Sequence, residues 1–447
     1  MSFYTIINRR HKVDKSKHII VISEDALVYE DLEELRKLPN FSKIMEKAAF
    51  VDRMRSVYPT ITYPNHASMR TGVRCGRHGI VNNETPILTQ AKTPWFWMND
   101  ALKVPDIFDA AKAAGYTTAA VFWPTTGRHP HIDWLVDEYW PMSDSQTTLE
   151  CFAESGSSPE VIDRVIRPNM HLVDGMHRVH PHCDAFVHAC ACSIIREFKP
   201  NLLLVHPANI DQYRHETGVF SAKVSHGLHE IDTWLGEIWK AIRDAGIEQD
   251  TDLFIVSDHG QLNITRSIAL NALLADKGLL TVDAEGNVTD YVAIAKSAGM
   301  SAQIYLKDPR DFDRVRAVLE QMREDGLYGF ERVFTAEEAR AEEGLYGDFS
   351  FVLETDGYTS FSNAFTRPFV RRVDNSDYKF GRATHGYHPD KGPQPTLIAC
   401  GPHIRAGARL DRRSVIDEAP TYARILGVRM PEAEGTAMEE ILRVEES

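Results

Sequence analysis

Short apolar runs that end next to metal-binding or acidic side chains constrain the fold of this 447-residue chain more than any other feature. Three of them, His18–Ser23, Asn201–His206 and Asp252–Ser257, have the length and continuous hydrophobicity of strands that are buried on both faces. Helical patterns separate these runs along the chain. Strands that alternate with helices predict a doubly wound α/β fold, with a mostly parallel central sheet flanked by helices. In such folds ligands bind at the carboxyl ends of the strands.

The helical patterns are clearest in three places. After Asn201–His206, apolar residues recur by four and three and predict one core-facing stripe, formed by Val224, Leu228, Ile231, Leu235, Ile238 and Ile242. Helices are also predicted over Lys103–Gly115, which ends in glycine, and over Cys183–Phe198. The apolar segment Thr117–Phe122 predicts a further strand.

The pattern changes in the second half of the chain, where short strands surround a charged helix, Asp311–Glu324. The core pattern resumes with the strand Thr396–Cys400 and a last helix. We therefore expect residues 1–270 and 376–447 to form one catalytic α/β core. Residues 271–375 are expected to form an inserted α+β cap subdomain.

Composition excludes several classes of partner. The formal charge of −14 and the isoelectric point near 5.8 argue against a nucleic-acid polymer. No run of about 18 apolar residues predicts a membrane span, and the apolar part of Met1–Arg10 is too short for a signal sequence. The six cysteines show no regular spacing and are expected to be reduced thiols. These features predict a cytoplasmic protein; they leave its oligomeric state open.

The segment Tyr58–Ser68 contains the candidate nucleophile, Thr62. Pro64 suits the first position of a helix, since its missing N–H would lack an intrahelical partner there. Thr62 then lies at a helix N-terminus, where free N–H groups and the helix dipole favour a phosphate or another anion. A threonine hydroxyl needs a metal ion or a base beside it to attack. An isolated Thr-x-Pro would more often be a simple helix cap.

Six residues that commonly bind metal ions lie near the ends of predicted strands or in loops. They are Asp25, Asp211, His215, Asp258, His259 and His385. Each motif alone is common by chance. Together they supply enough nitrogen and oxygen ligands for two zinc-like ions beside a hydroxyl group.

The order of these motifs, Asp … Thr-x-Thr-Tyr-Pro-Asn-His … Asp-x-x-x-His … Asp-His-Gly … His-Gly-Tyr, resembles the type I phosphodiesterase/nucleotide pyrophosphatase family of the alkaline phosphatase superfamily. The resemblance begins near residue 18 and extends to the stretch after Ile416. It is weak over residues 125–195 and in the insertion. It implies an alkaline-phosphatase-like sandwich that hydrolyses phosphodiester or pyrophosphate bonds in a small-molecule phosphate ester or anhydride.

The resemblance also assigns roles at a two-zinc site, with manganese or another divalent ion as alternatives. The ligands of the first ion would be Asp211, His215 and His385. The ligands of the second would be Asp25, Asp258, His259 and the oxygen of Thr62. Thr62 would form a threonyl-phosphate intermediate, and Asn83 would donate a hydrogen bond to a phosphoryl oxygen.

Tyr63 matches the aromatic residue that stacks on the base in members of the family that cleave nucleotides. A second stacking surface has no clear match in the sequence. The candidates are Trp95, Trp97 and Trp123.

Four positions depart from the family pattern or compete with it. Ala26 follows Asp25 where the family has glycine, and Glu24 is a rival ligand. Arg214 replaces a glycine and is interpreted either as a phosphate contact or as a solvated side chain. His388 follows His-Gly-Tyr and either contacts the substrate or supports residues that do.

Other histidines are interpreted as non-ligands. His66 is expected to support the nucleophile loop. The histidines and cysteines of residues 171–192 fit no known structural zinc spacing, so a surface or lid segment is predicted there.

Alternative functions keep the metal site and change the reaction. They are a phosphonate (C–P) hydrolase, such as a phosphonoacetate-hydrolase-like enzyme, and a phosphomonoesterase. A sulfatase is disfavoured because its Cys-x-Pro-x-Arg or Ser-x-Pro-x-Arg motif is absent from the sequence. A non-enzymatic metal-binding protein is disfavoured because Thr62 and all six ligands are retained.

Overall fold

The computed structural model describes residues 14–141 and 145–443, so the N-terminal run Met1–Arg10 lies outside it. Its centre is an eight-stranded sheet. The strands, in spatial order, are Arg409–Ser414, Ala49–Arg55, Leu397–Cys400, Thr251–Val256, His18–Ser23, Leu202–Val205, Thr118–Val121 and Trp134–Val136. Neighbouring strands are parallel except around Leu397–Cys400, which is antiparallel to both of its neighbours. The predicted, mostly parallel central sheet is therefore confirmed.

The first strand shows why the central runs are apolar at every position. Ile20 pairs with Leu203 on one side and with Leu253 on the other, so the strand lies in the middle of the sheet. Ile19 and Val21 pack in one hydrophobic cluster, and Ile20 and Ile22 pack in a second cluster on the opposite face. Because both faces are covered, the strand cannot alternate apolar with polar residues.

Helices cover both faces of the sheet. The α-helices are Leu32–Leu35, Pro39–Met45, Thr62–Thr71, Cys75–His78, Ile107–Ala113, Thr148–Glu154, Pro159–Val161, Arg167–Asn169, His182–Phe198, Asn209–Thr217, Ala222–Asp244, Leu270–Asp276, Phe312–Glu324, Ala336–Glu343 and Glu418–Leu426, and Ile162–Ile166 forms a π-helical turn. Short 3₁₀ turns are Tyr29–Asp31, Asn99–Ala101, Met170–Leu172, Glu248–Asp250, Pro309–Asp311, Tyr378–Phe380, Val415–Asp417 and Glu439–Ile441. Every predicted helix named above has a counterpart within a few residues of its expected ends.

Some predicted details differ from the structure. The nucleophile helix begins at Thr62, so Pro64 occupies its third position rather than its first. Proline is tolerated there because the N–H groups of the whole first turn lack intrahelical acceptors. The strands Ala49–Arg55 and Trp134–Val136 have no counterpart in the sequence prediction. The first carries charged residues and the second is only three residues long, so neither shows a continuous apolar run.

The inserted region is built from small sheets and helices. Its four-stranded antiparallel sheet consists of Ala293–Ser297, Ser301–Leu306, Phe351–Thr355 and Phe330–Thr335, in spatial order. A two-stranded sheet pairs Leu280–Val282 with Val288–Tyr291, and another, outside residues 271–375, pairs Leu262–Asn263 with Ala383–Thr384. A three-stranded sheet places Arg266–Ala269 between Thr359–Ser362 and Val370–Arg372. This last sheet pairs a strand of the predicted core with two strands of the predicted insertion. The domain boundaries remain a prediction.

All six cysteines are buried and unpaired, in agreement with reduced thiols. Among the described residues, no helix has both the length and the hydrophobicity needed to cross a membrane.

The apolar stripe of the helix Ala222–Asp244 allows a direct test of which side chains form the core. Ile238 is fully buried, whereas its neighbour Glu237 is exposed. We expect Ile238→Ala to lower the free energy of unfolding by about 2–5 kcal/mol, because it removes apolar contacts and leaves a cavity. Glu237→Ala, the matched control, should change it by less than about 0.5 kcal/mol. Denaturant unfolding followed by circular dichroism measures both; equal midpoints for the two variants would contradict this assignment.

Candidate active site at the carboxyl end of the central sheet

A cavity of about 470 Å³ opens at the carboxyl ends of the central strands. Four of the predicted ligands, Asp25, Asp211, His215 and His385, line it together with Thr62 and Asn83. Asp258 and His259 are fully buried beside it, directly after the strand Thr251–Val256. The fold thus brings together residues that are separated by more than 300 positions in the sequence.

Thr62 is the first residue of the helix Thr62–Thr71 and is almost completely buried. Its Oγ1 lies 3.2 Å from Nε2 of His259. The hydroxyl therefore sits between the positive end of a helix dipole and the group of predicted metal ligands. This is the position that a nucleophile needs in order to meet a bound phosphoryl group.

Asp211, His215 and His385 form the first group of ligands. Their ligating atoms lie within 4.8 Å of one another. His215 Nδ1 is 2.8 Å from the carbonyl oxygen of Ala383, which can only accept, so Nδ1 must carry a proton. Nε2 then faces Asp211 Oδ2 at 3.0 Å, and a shared proton or a cation has to lie between them. Gln261 donates to Asp211 Oδ1 at 2.5 Å and holds this carboxylate in place.

Asp25, Asp258 and His259 form the second group. His259 Nε2 is 3.1 Å from Asp258 Oδ2 and 3.5 Å from Asp25 Oδ1. The ligating atoms of Asp25 and His259 also lie within 4.8 Å of one of Asp211, so the two groups are contiguous. His206 binds the other oxygen of Asp25 at 3.1 Å.

The buried carboxylates and histidines of the two groups are suitable ligands for divalent cations. Asp25 Oδ1 and Asp258 Oδ2 are buried without a hydrogen-bond partner among the described residues. Burial raises the pKa of Asp25 well above its ordinary value and Asp211 raises it further, while burial and Asp25 do the same to the pKa of Asp258. Burial holds the pKa of His259 and that of His385 well below the ordinary value, so both are neutral, which is the form that binds metals. Divalent ions would supply the missing positive charge.

Asn83 lies on the cavity wall and is fixed by Tyr63. The backbone N–H of Tyr63 donates to Asn83 Oδ1 at 2.9 Å. The Asn83 Nδ2 group has no hydrogen-bond partner in the described part of the chain and is free to donate. The predicted role of Asn83 at a phosphoryl oxygen is therefore compatible with its position.

The backbone conformation at Ala26 is one that glycine, the residue expected here from the family pattern, adopts more easily. Its φ is +60°, in the left-handed region, which costs a residue with a side chain roughly 1–2 kcal/mol. Arg214 Nε donates to the Ala26 carbonyl at 3.1 Å and stabilises this turn. Glu24 points away from the ligand groups, toward His188 at 3.8 Å.

Two predicted substrate contacts need correction. Arg214 is completely buried, pairs with Asp31 and lies outside the cavity lining, so it is neither a phosphate contact nor a solvated side chain. The buried carboxylate of Asp31 and the carbonyl of Ala26 hold it in the interior. His388 also lies outside the lining, because Glu343 binds its Nε2 at 3.0 Å. Both residues support the site rather than line it.

The aromatic residues are arranged differently from the prediction. Tyr63 is fully buried behind the wall, with its hydroxyl donating to Glu138 at 3.0 Å and its ring packed edge-on against Trp95. Its face is therefore not available for stacking on a base. Trp95 and Trp97 line the cavity instead, and Trp123 is buried against His66.

The other histidines take supporting positions. His66 Nδ1 lies 2.9 Å from the carbonyl oxygen of Thr62, and its Nε2 lies 2.9 Å from Ser23 Oγ, so both ring nitrogens have partners. In residues 171–192, no cluster of potential ligands appears among the described residues. Part of this segment, including His180 and Cys183, lines the cavity, but its three cysteines are buried in the core rather than at the surface.

Several lining residues had no prediction from the sequence. They are Glu84, Lys92, Phe122, Glu138, Arg178, Tyr378 and Lys379, among others. Phe122 and Glu138 follow strands of the central sheet, and none of these residues lies within one of the motifs that predicted the site. The ring of Tyr378 stacks on the predicted ligand His385 at 5.4 Å between ring centres and lies 5.8 Å from the ring of His215.

Comparison with known proteins agrees with this geometry. The family model for type I phosphodiesterase/nucleotide pyrophosphatase matches residues 19–387. Ectonucleotide pyrophosphatase/phosphodiesterase family member 1 of Homo sapiens is 23% identical over 246 residues, which are 54% of this chain and 23% of that protein. Ectonucleotide pyrophosphatase/phosphodiesterase 1 of Saccharomyces cerevisiae is 25% identical over 288 residues, 61% of this chain and 36% of that protein. The chain thus matches only a minor part of these relatives.

A solved structure shares the fold. Murine ectonucleotide pyrophosphatase/phosphodiesterase 5, as an inactive variant in complex with AMP, superposes with a TM-score of 0.67 at 20% identity. The match covers 96% of this chain and 100% of that chain. This likeness confirms the predicted alkaline-phosphatase-like fold.

Asp211 gives a test of metal binding. We expect Asp211→Asn to lower the content of tightly bound Zn²⁺, because this carboxylate belongs to the first group of candidate ligands and also lies within 4.8 Å of the ligating atoms of Asp25 and His259 in the second. Asp390→Asn is the control: Asp390 belongs to another acidic cluster, but Arg55 and Arg412 already balance its charge. Metal analysis after dialysis measures both variants. Unchanged zinc content in Asp211→Asn, or equal losses in both variants, would contradict the assignment.

Proposed function

The chain belongs to the type I phosphodiesterase/nucleotide pyrophosphatase family, and on that premise we propose that it hydrolyses phosphodiester or pyrophosphate bonds in small-molecule substrates. The observation that carries this proposal is the position of Thr62. Its hydroxyl lies at a helix N-terminus and 3.2 Å from His259, within a cavity lined by four of the six candidate ligands. A nucleophile, charge-stabilising groups and space for a substrate therefore coincide.

Two divalent ions would complete the site. Asp211, His215 and His385 would hold the first ion, and Asp25, Asp258 and His259 would hold the second beside Thr62. Nitrogen and carboxylate donors suit zinc, with manganese as the alternative. When bound, such ions polarise phosphoryl oxygens and lower the pKa of a hydroxyl or water that they contact.

The chain's own residues carry the two chemical steps. In the first, Thr62 Oγ1 gives up its proton to solvent and forms a bond to phosphorus while the bond to the leaving group breaks, and the leaving group takes the electron pair. In the second, a water molecule loses a proton and attacks the threonyl phosphate, and Thr62 leaves with the electron pair of its P–O bond and regains a proton. The N-terminus of Thr62–Thr71 faces the phosphoryl group and favours its negative charge throughout.

Asn83 would stabilise the transition state. Because Tyr63 N–H occupies its Oδ1, the amide cannot rotate freely, and Nδ2 is held ready to donate to a non-bridging phosphoryl oxygen. A donor fixed before the reaction costs little reorganisation when negative charge builds up there.

Nucleotides are the substrate class that we favour. The indole rings of Trp95 and Trp97 line the cavity, and Arg178 lies over the Trp95 ring at 5.7 Å, so aromatic and cationic groups are available to a base and its phosphate. The solved structure that shares the fold is an inactive variant in complex with AMP. A phosphonate or a phosphomonoester would use the same nucleophile and ligands, so measured substrate preference has to separate these reactions. The cytoplasmic location stays a prediction from the sequence.

Thr62→Ala tests the nucleophile. We expect turnover to fall on the order of 10⁴-fold or more, because the attacking oxygen is lost. Zinc content should remain near that of the wild type, since the six protein ligands are unchanged. Thr62→Ser, the control, keeps a hydroxyl group and should retain measurable activity. Full activity in Thr62→Ala would disprove the role.

Asn83→Ala tests transition-state stabilisation. We expect kcat to fall roughly 10²- to 10³-fold, because a fixed hydrogen-bond donor is removed from the charged transition state. KM should change less than kcat. Steady-state kinetics with a chromogenic diester measures the split, and a loss confined to KM would assign Asn83 to ground-state binding instead.

A substrate panel tests the reaction class. With zinc-loaded protein, bis-p-nitrophenyl phosphate or p-nitrophenyl thymidine 5′-monophosphate should be cleaved faster than p-nitrophenyl phosphate. Exclusive cleavage of the monoester would leave the fold and the ligands in place but would overturn the proposed reaction.

A further inference from the structure

A buried carboxylate, Glu84, holds two lysines from distant parts of the chain beside the cavity. Its Oε2 lies 2.6 Å from Lys296 Nζ, and its Oε1 pairs with Lys379 Nζ. None of the three side chains is more than 6% exposed. The two chemical steps proposed above use none of them.

Among its buried side chains, this cluster has one more positive than negative charge. Burial would raise the pKa of Glu84, but Lys379 and Lys296 outweigh burial and hold it below its ordinary value, so the carboxylate is ionised at neutral pH. Two ammonium groups therefore face one carboxylate. Asp377 is 4.0 Å from Lys379 Nζ, but its side chain is 29% exposed and is partly screened by water. An excess charge is costly to bury unless another group balances it.

The charge is directed toward the site. Lys379 and Glu84 line the cavity, whereas Lys296 lies behind them on the strand Ala293–Ser297. Lys379 Nζ lies 4.3 Å from the centre of the Tyr378 ring, and that ring stacks on the candidate ligand His385. Only one aromatic ring therefore separates the ammonium group from the candidate metal site. Glu84 also follows Asn83 directly in the sequence.

Tyr378 adds a second unused group. Its hydroxyl oxygen is buried and has no hydrogen-bond partner among the described residues, and the side chain lines the cavity. Buried hydroxyl groups normally have a partner. A negatively charged group of a bound substrate would satisfy the Tyr378 hydroxyl and balance the Lys379 ammonium group together.

We propose that Lys379 and Tyr378 form a subsite for a second anionic group of the substrate, so that phosphoanhydrides such as nucleoside triphosphates are preferred over diesters of neutral alcohols. The inference rests on the proposed function. When an anhydride is cleaved, pyrophosphate leaves with the electron pair of the broken P–O bond and gains negative charge. Lys379 would balance that charge as it develops, and a p-nitrophenolate leaving group has no second anion to place there.

A matched pair of substrates isolates the subsite. Thymidine 5′-triphosphate and p-nitrophenyl thymidine 5′-monophosphate transfer the same thymidylyl group and differ in the leaving group. We expect Lys379→Met to lower kcat/KM for the triphosphate roughly 10- to 100-fold, because a charged contact to the leaving group is lost. The kcat/KM of Lys379→Met for the nitrophenyl ester should stay within about twofold of the wild-type value. Equal losses on both substrates would overturn the subsite.

Two further variants separate substrate contact from structural support. Lys296→Met removes the same charge from the same cluster but behind the cavity wall, so the ratio of the two kcat/KM values should stay near that of the wild type. Lys379→Arg should restore most of the preference for the triphosphate. If Lys296→Met lowers the ratio as much as Lys379→Met does, direct contact by Lys379 is disproved. Thermal unfolding of each variant checks that it is folded.

The wild-type protein distinguishes this inference from the proposed function. Cleavage of the nitrophenyl ester without cleavage of the triphosphate would leave the proposed function intact and overturn the subsite. Failure on both, and on bis-p-nitrophenyl phosphate, would overturn both. Phosphonoacetate is included because its carboxylate is also a second anion. If only phosphonoacetate cleavage depended on Lys379, the subsite would belong to a carboxylate and the preference for anhydrides would be wrong.

Discussion

Mutual repulsion among three buried carboxylates is the interaction on which the rest of this site depends. Two of these carboxylates, Asp25 and Asp258, follow central strands, and the third, Asp211, lies in the helix Asn209–Thr217. Burial keeps the neighbouring His259 and His385 neutral. Three ionised carboxylates in a buried space are unstable unless cations balance them. The fold places these carboxylates together at one edge of the sheet. Divalent ions bound there would balance their charge and would also attract an anionic substrate.

The surrounding structure fixes each carboxylate separately. His206 and the turn at Ala26 hold Asp25, and Gln261 holds Asp211. Arg214 supports the Ala26 turn from the interior, where Asp31 balances its charge. These contacts orient the candidate ligands, as groups behind a metal site usually do. They also explain how an arginine can replace a glycine of the family without entering the cavity.

The inserted region contributes to the cavity wall as well as to the core. Lys296 reaches Glu84 from the inserted sheet, and Asn82 donates to the carbonyl of Ser297 at 3.1 Å next to Asn83. Two segments more than 200 residues apart in the sequence are thereby joined beside the candidate nucleophile. Differences among related enzymes in this region can change the charge of the wall while the metal ligands and the nucleophile stay the same.

The sequence by itself determined the class of fold, the central strands and the set of candidate ligands, because strand burial, helical periodicity and the Thr62 motif are local patterns. It did not show that Tyr63, Arg214 and His388 lie outside the cavity lining, since their partners Glu138, Asp31 and Glu343 are distant in the sequence and only folding brings them together. It gave no signal for the cluster at Glu84 for the same reason. Tertiary structure decided which side chains line the cavity, because exposure and charge balance depend on contacts between segments that no local pattern connects.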